Sequence, residues 1–109
     1  MTTRPSRNAE HVITVHIDSS LEEIIPGFLE NRRRDVQTLK TALQQNDFKA
    51  IRVLGHRMKG DGGGYGFDAI STIGDGMEQA AAREDRNAIQ RHTEELIDFL
   101  ARVTVLYRR

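Results

Sequence analysis

The sequence predicts an all-α fold, an antiparallel four-helix bundle with an additional short N-terminal helix, and three observations carry that expectation. Apolar residues recur at helical spacing along most of the chain, the connections between periodic stretches are short, and aromatic residues are few at 6% with little β-branched clustering. At 109 residues the chain has room for one hydrophobic core and not comfortably for two.

Residues 1 to about 16 contain Pro5, several short polar side chains and no helical period, so residues 1–17 are expected to be a mobile or loosely docked arm and residues 18–109 the bundle. Asp18, Ser19 and Ser20 offer N-cap oxygens ahead of Leu21, Ile24, Ile25, Phe28 and Leu29. Pro26 lacks a backbone N–H, which predicts a short helix ending near it and a longer one starting around it and running through Val36, Leu39 and Leu43 to Gln44. Asn46 and Asp47 are turn and cap residues, and the helix beginning at about Phe48 has Ile51, Leu54, Met58 and Tyr65 as its core stripe. The next helix carries Ile70, Ile73, Met77 and Ala81. After the break at Glu84 and Asp85, the last carries Ile89, Leu96, Leu100, Val103 and Tyr107. That helix is expected to end at Arg108 and Arg109, where positive charge suits the C-terminal end of the dipole.

Composition removes several function classes. Without cysteine there are no disulfides, thiolate metal sites or thiol nucleophiles. Sixteen Lys and Arg balance sixteen Asp and Glu, so the excess charge that drives nonspecific nucleic-acid binding is absent. Apolar runs fall far short of the roughly 20 residues of a spanning helix, and the start MTTRPSRNAE lacks the apolar region of a secretory signal. A cytoplasmic protein with no membrane or nucleic-acid partner is therefore expected.

The informative stretch is LGHRMKGDGGGYGFDAI, with glycines at 60, 62, 63, 64 and 66 in or beside a helix. Each interior glycine costs about 1 kcal/mol relative to alanine, a burden that suggests a use. Gly64, Gly66 and Ala69 fit a G-x-G-x-x-A phosphate loop only formally, because no strand precedes them. Projection at 100° per residue is more instructive. The stripe Ile51, Leu54, Met58 and Tyr65 lies at about 160° to 220° from His56, so the imidazole points outward. Gly60, Gly63 and Gly64 fall within about 80° of His56, and Lys59 and Arg52 within about 60°. An exposed neutral imidazole, cleared of neighbouring β-carbons and flanked by cations, suits a nucleophile for a phosphoryl group. No serine, carboxylate or second histidine occupies a helical neighbour position on that face, which argues against an acid–base triad. His11, His16 and His92 have no metal-ligand spacing with His56.

His56, Lys59, Gly60 and Gly66, set as H-x-x-K-G-x5-G in a helix and followed by Ile70, Ile73, Met77 and Glu78 at helical spacing, resemble the histidine-phosphotransfer (HPt) domain. The resemblance extends over about residues 20 to 107. It implies a phosphocarrier in a two-component phosphorelay: His56 the phosphoacceptor, Lys59 the stabiliser of phosphate charge, Gly60 the small residue permitting close approach, and Gly66 the glycine near the helix end. It further implies a receiver domain or hybrid histidine kinase as partner, no cofactor of the chain's own, Mg²⁺ on the receiver, and no self-sufficient enzymatic activity. Docking is expected through Gly60, Gly63, Gly64 and Arg52, with Phe28 and Arg33 contributing from a neighbouring helix, and a monomer is expected. Asp61 departs from the family pattern, which favours small or hydroxyl residues there, and Gly62 to Gly64 is richer in glycine than the pattern requires, which puts the straightness of the helix in question. The competing readings are an HPt-like adaptor that carries no phosphate, and a structural helical-bundle interaction module.

Overall fold

The computed structural model describes residues 11–109. Four helices form the body: α1 (Ile25–Gln44), α2 (Phe48–Gly64), α3 (Asp68–Ala82) and α4 (Arg86–Arg102). Each packs on its sequence neighbour, and α4 returns to α1 to close the bundle. Among the described residues, no helix is long and apolar enough to cross a membrane.

The three interhelical connections share one construction. At each, the second N–H past the C-cap bonds the carbonyl five residues back, as Asp47 to Ala42, Phe67 to Gly62 and Asp85 to Ala80, and the N–H before it bonds a carbonyl three back. These are Schellman caps, and they need positive φ at the residue after the C-cap. Asn46 (φ 54°), Gly66 (φ 91°) and Glu84 (φ 54°) supply it. Only Gly66 does so without a Cβ penalty, which gives the last glycine of the motif a purely structural use. Asp47 and Asp85 then cap the following helices by accepting from the N–H groups of Ala50 and Ala88. Arg86 donates to the Leu43 carbonyl at 2.9 Å and to the Asn46 side chain, tying the first connection to the start of α4.

The core stripes expected for α2, α3 and α4 are largely in place: Ile51, Leu54, Met58, Ile70, Ile73, Met77, Ala81, Ile89, Leu96 and Leu100 are all buried. Tyr65 is only half-buried, at the C-cap of α2. Phe67 forms the aromatic centre, stacked on Phe28 at 5.3 Å and edge-on to Phe99 at 6.4 Å. Despite its glycines, α2 stays helical through Gly64.

Both ends of the chain differ from the sequence expectation. In place of a short N-terminal helix there is a single 3₁₀ turn, Ser19–Leu21, where Asp18 accepts from Ser20 N–H at 2.8 Å. Pro26 then stands in the first turn of α1, where a missing N–H costs nothing. The last helix stops at Arg102, and Val103–Arg108 is a strand, β2, paired in parallel with β1 (Ile13–Asp18). The register runs from Ile13 opposite Val103 to Asp18 opposite Arg108. Val103 and Tyr107 continue the helical period from Leu100, but with Val105 they also alternate, and the alternating face of the strand is the one half-buried against the core. The expected arm is thus structured from Ile13 onward, and its residues 1–10 lie outside the described residues. The dipole at the C-terminus of α4 is met by Arg102, which pairs with Asp98 at 3.2 Å, rather than by Arg108 and Arg109.

Two kinds of glycine emerge. A Cβ on Gly74 would lie 2.5 Å from Lys59 N and 2.7 Å from Gly55 O; one on Gly55, 2.7 Å from Glu78 N; one on Gly62, 2.6 Å from Ser71 N. These three let the backbones of α2 and α3 touch. A Cβ on Gly60 or Gly64 would meet nothing within 4 Å. We expect Gly74→Ala to lower stability by about 1–3 kcal/mol through overpacking and Gly60→Ala to raise it by about 0.5–1 kcal/mol through helix propensity, both read from urea melts. In the same assay Leu54→Ala should cost about 2–5 kcal/mol, because the side chain is buried.

Candidate functional site

His56 sits mid-helix on the solvent side of α2, its side chain 75% exposed, in a shallow depression with Arg52, Val53 and Glu78. The outward direction follows from the helix phase: Leu54, Gly55 and Met58 are turned inward and His56 is not. Its Nδ1 lies 3.1 Å from Oε2 of Glu78, which reaches across from α3. A carboxylate oxygen only accepts, so in this contact Nδ1 is the donor, and Nε2 is left without a hydrogen-bond partner among the described residues. Glu78 is mostly covered, its side chain 23% exposed, and is held in place because α3 approaches α2 at Gly55 and Gly74.

One turn further along, Lys59 repeats the arrangement. Its Nζ lies 3.2 Å from Oδ1 of Asp75, with both side chains about half exposed. The Ser71 hydroxyl donates to the Lys59 carbonyl at 2.7 Å, a third link from α3 to this segment of α2. His56 with Glu78 and Lys59 with Asp75 are successive rungs of one antiparallel register.

Charge is divided between these two helices. α2 carries Lys49, Arg52, Arg57 and Lys59 against Asp61 alone, whereas α3 carries Asp68, Asp75 and Glu78 and no Lys or Arg. Arg52 forms no ion pair among the described residues, and Val53 beside it is 52% exposed. Around His56 the surface is cationic and apolar on the α2 side and acidic on the α3 side.

Gly60, Gly63 and Gly64 are all exposed on α2, and a Cβ on Gly63 would meet only the Ser71 hydroxyl at 3.8 Å. Asp61 is directed to the neighbouring helix α1, with Oδ2 3.7 Å from Arg32 Nη1. Arg32 is itself buried, lies 4.8 Å over the Phe28 ring and meets Asp35 at 2.7 Å. Burial pushes the Asp35 carboxyl above its ordinary value, against the pull of Arg32.

Two residues expected to take part in docking lie apart from the depression around His56. Phe28 is 7% exposed and packed between Tyr65 and Phe67, so its ring belongs to the core. Arg33 lines a groove with Val36, Ile97, Leu100 and Ala101, between α1 and α4, and pairs with Glu30 at 3.4 Å. That groove shares no residue with the depression around His56. Conversely, the same-helix projection that found His56, Lys59 and the glycines missed Glu78 and Asp75 as neighbours, because both come from α3. Two glycines, Gly55 and Gly74, were the available signal, since their close contact fixes the register between the helices.

Among the described residues no three His, Asp or Glu side chains gather in a metal-binding group. Comparison with curated proteins and with solved structures gives no match. The family model described as "Hpt domain" matches residues 23–105, a span that holds all four helices and the His56 site and begins after β1. Histidine phosphotransfer in phosphorelays is the general role of that family. With the match covering most of its length, and with an exposed histidine on a helix of a four-helix body, this chain belongs to the Hpt-domain family.

Proposed function

We propose that the chain is a phosphocarrier: Nε2 of His56 accepts a phosphoryl group from an aspartyl phosphate on a receiver domain, and returns it to such an aspartate. The observation that carries this reading is the contact between His56 Nδ1 and Glu78, with Nε2 left outward. In the forward step the Nε2 lone pair attacks phosphorus in line. The phosphorus–oxygen bond to the receiver's aspartate breaks, and the carboxylate leaves with the electron pair. The ring becomes an imidazolium carrying a dianionic phosphoryl group, and its Nδ1 proton stays on the ring facing Glu78. The carboxylate thereby fixes the tautomer beforehand and stabilises the positive charge that develops, much as a buried acid does for a catalytic histidine. Lys59, one turn away, supplies positive charge for the phosphoryl oxygens, together with Mg²⁺ held by the receiver.

The chain offers no nucleotide-binding motif of its own, so the partner supplies the activated phosphate, and the barrier is lowered chiefly by positioning. Docking is assigned to the side of His56 where Gly60, Gly63 and Gly64 leave the helix backbone open and Arg52 and Val53 stand exposed. A cationic, partly apolar surface suits the acidic pocket of a receiver, and the carboxylates of α3 discourage approach from the other side.

Incubation with a phosphorylated receiver should label the wild-type chain with acid-labile phosphate at His56, located by mass spectrometry. His56→Gln should abolish labelling and leave the melting temperature nearly unchanged, since the side chain makes no buried packing. Labelling of that variant at wild-type level would remove His56 from the role. A wild-type chain that binds the receiver without ever taking phosphate would instead be an adaptor. Gly63→Leu should separate docking from reactivity: exchange with the receiver should slow at least about tenfold while labelling by phosphoramidate changes little, because the small donor needs no flat approach.

A further inference from the structure

Lys59, the cation closest in sequence to His56 on its exposed face, is already engaged: its ammonium lies 3.2 Å from Oδ1 of Asp75. The engagement is built into the backbone. Asp75 follows Gly74, whose Cα would carry a Cβ to within 2.5 Å of the Lys59 backbone nitrogen, and the Lys59 carbonyl accepts from Ser71. The Asp75 backbone is thus held one residue from the point where the two helices touch, which keeps its carboxylate within reach of the ammonium. With both side chains about half exposed, the pair is of the weak surface kind and can be exchanged for a stronger anion. A phosphoryl group on Nε2 carries two negative charges and is such an anion.

We propose that Asp75 is a positioning residue that acts through Lys59, competing with the phosphoryl group for the ammonium and so keeping phosphoryl-His56 short-lived. This rests on the phosphocarrier reading above. The two rungs then have opposite effects. Glu78 prepares the ring to accept phosphate and steadies the imidazolium, whereas Asp75 withholds part of the charge that would retain the phosphate. A carrier must release what it accepts, and a counter-ion of fixed position on the stabilising lysine makes release easier without weakening the nucleophile.

The test uses the whole chain and phosphoramidate. Nε2 attacks phosphorus, the phosphorus–nitrogen bond of the zwitterionic donor breaks, ammonia leaves with its three hydrogens, and Nδ1 keeps its proton. The half-life of phosphoryl-His56 is then followed by phosphorus NMR at neutral pH after removal of the donor. Asp75→Asn should lengthen it by about two- to fivefold, as expected for one screened charge near the surface, and the gain should shrink at high salt. Asp75→Glu, which restores the carboxylate, should fall back toward wild type. Lys59→Ala should shorten the half-life, and adding Asp75→Asn to it should change nothing further, because the aspartate then has no lysine to withhold. An unchanged or shorter half-life in Asp75→Asn overturns the proposal. So does an equal gain with and without Lys59, which would make Asp75 a direct repulsive charge. A wild-type chain that takes no phosphate from phosphoramidate fails at the earlier step, and the phosphocarrier reading falls with this one.

Discussion

The contact on which the rest of this structure depends is the meeting of the α2 and α3 backbones at Gly55, Gly62 and Gly74. None of the three has room for a β-carbon, because main-chain atoms of the other helix stand within 3 Å of where it would be. Close approach of this kind removes the side-chain layer that usually separates two helices, and it fixes their register to the residue. In that register Glu78 faces His56 and Asp75 faces Lys59. The carboxylate beside His56 Nδ1 is therefore set by the register and not by anything within α2.

The glycine-rich run therefore serves two purposes on opposite sides of one helix. Gly55 and Gly62 look inward and are demanded by packing, whereas Gly60, Gly63 and Gly64 look outward and are demanded by nothing in the folded chain. The helix propensity lost at the outward positions has no return in stability, which is why they are read as open ground for a partner. Gly66 belongs to neither group, since its positive φ completes the cap at the end of α2. Without that cap the sharp return into α3 would be strained, and α3 would not lie alongside α2 in the register just described.

Burial is used sparingly for charge. Arg32 is the one buried cation among the described residues, held between Asp35, Asp61 and the Phe28 ring. Its contact with Asp61 ties α1 to the segment of α2 beyond His56 and turns an acidic side chain away from the place proposed for phosphate. The cations of α2, Lys49, Arg52, Arg57 and Lys59, are not buried.

The four helices and the outward direction of His56 were legible in the sequence because both are local: a period of 3.6 residues places Ile51, Leu54 and Met58 on one side and His56, Lys59 and the glycines on the other. Asp47 as a helix cap was legible for the same reason. Contacts between segments far apart in the chain decided everything else. The parallel pairing of residues 13–18 with 103–108 turned an expected arm and an expected helical end into strands, since an alternating segment becomes a strand only when a second one lies beside it. Phe28 carried an apolar ring at a helical position, and only the convergence of Tyr65 and Phe67 upon it showed that the ring was core and not docking surface. The carboxylates that orient His56 and engage Lys59 come from another helix, so no pattern within α2 could announce them. The sequence by itself determined which histidine stands exposed among glycines and cations. Tertiary structure decided which of its nitrogens is left open, because one α3 carboxylate already meets the other.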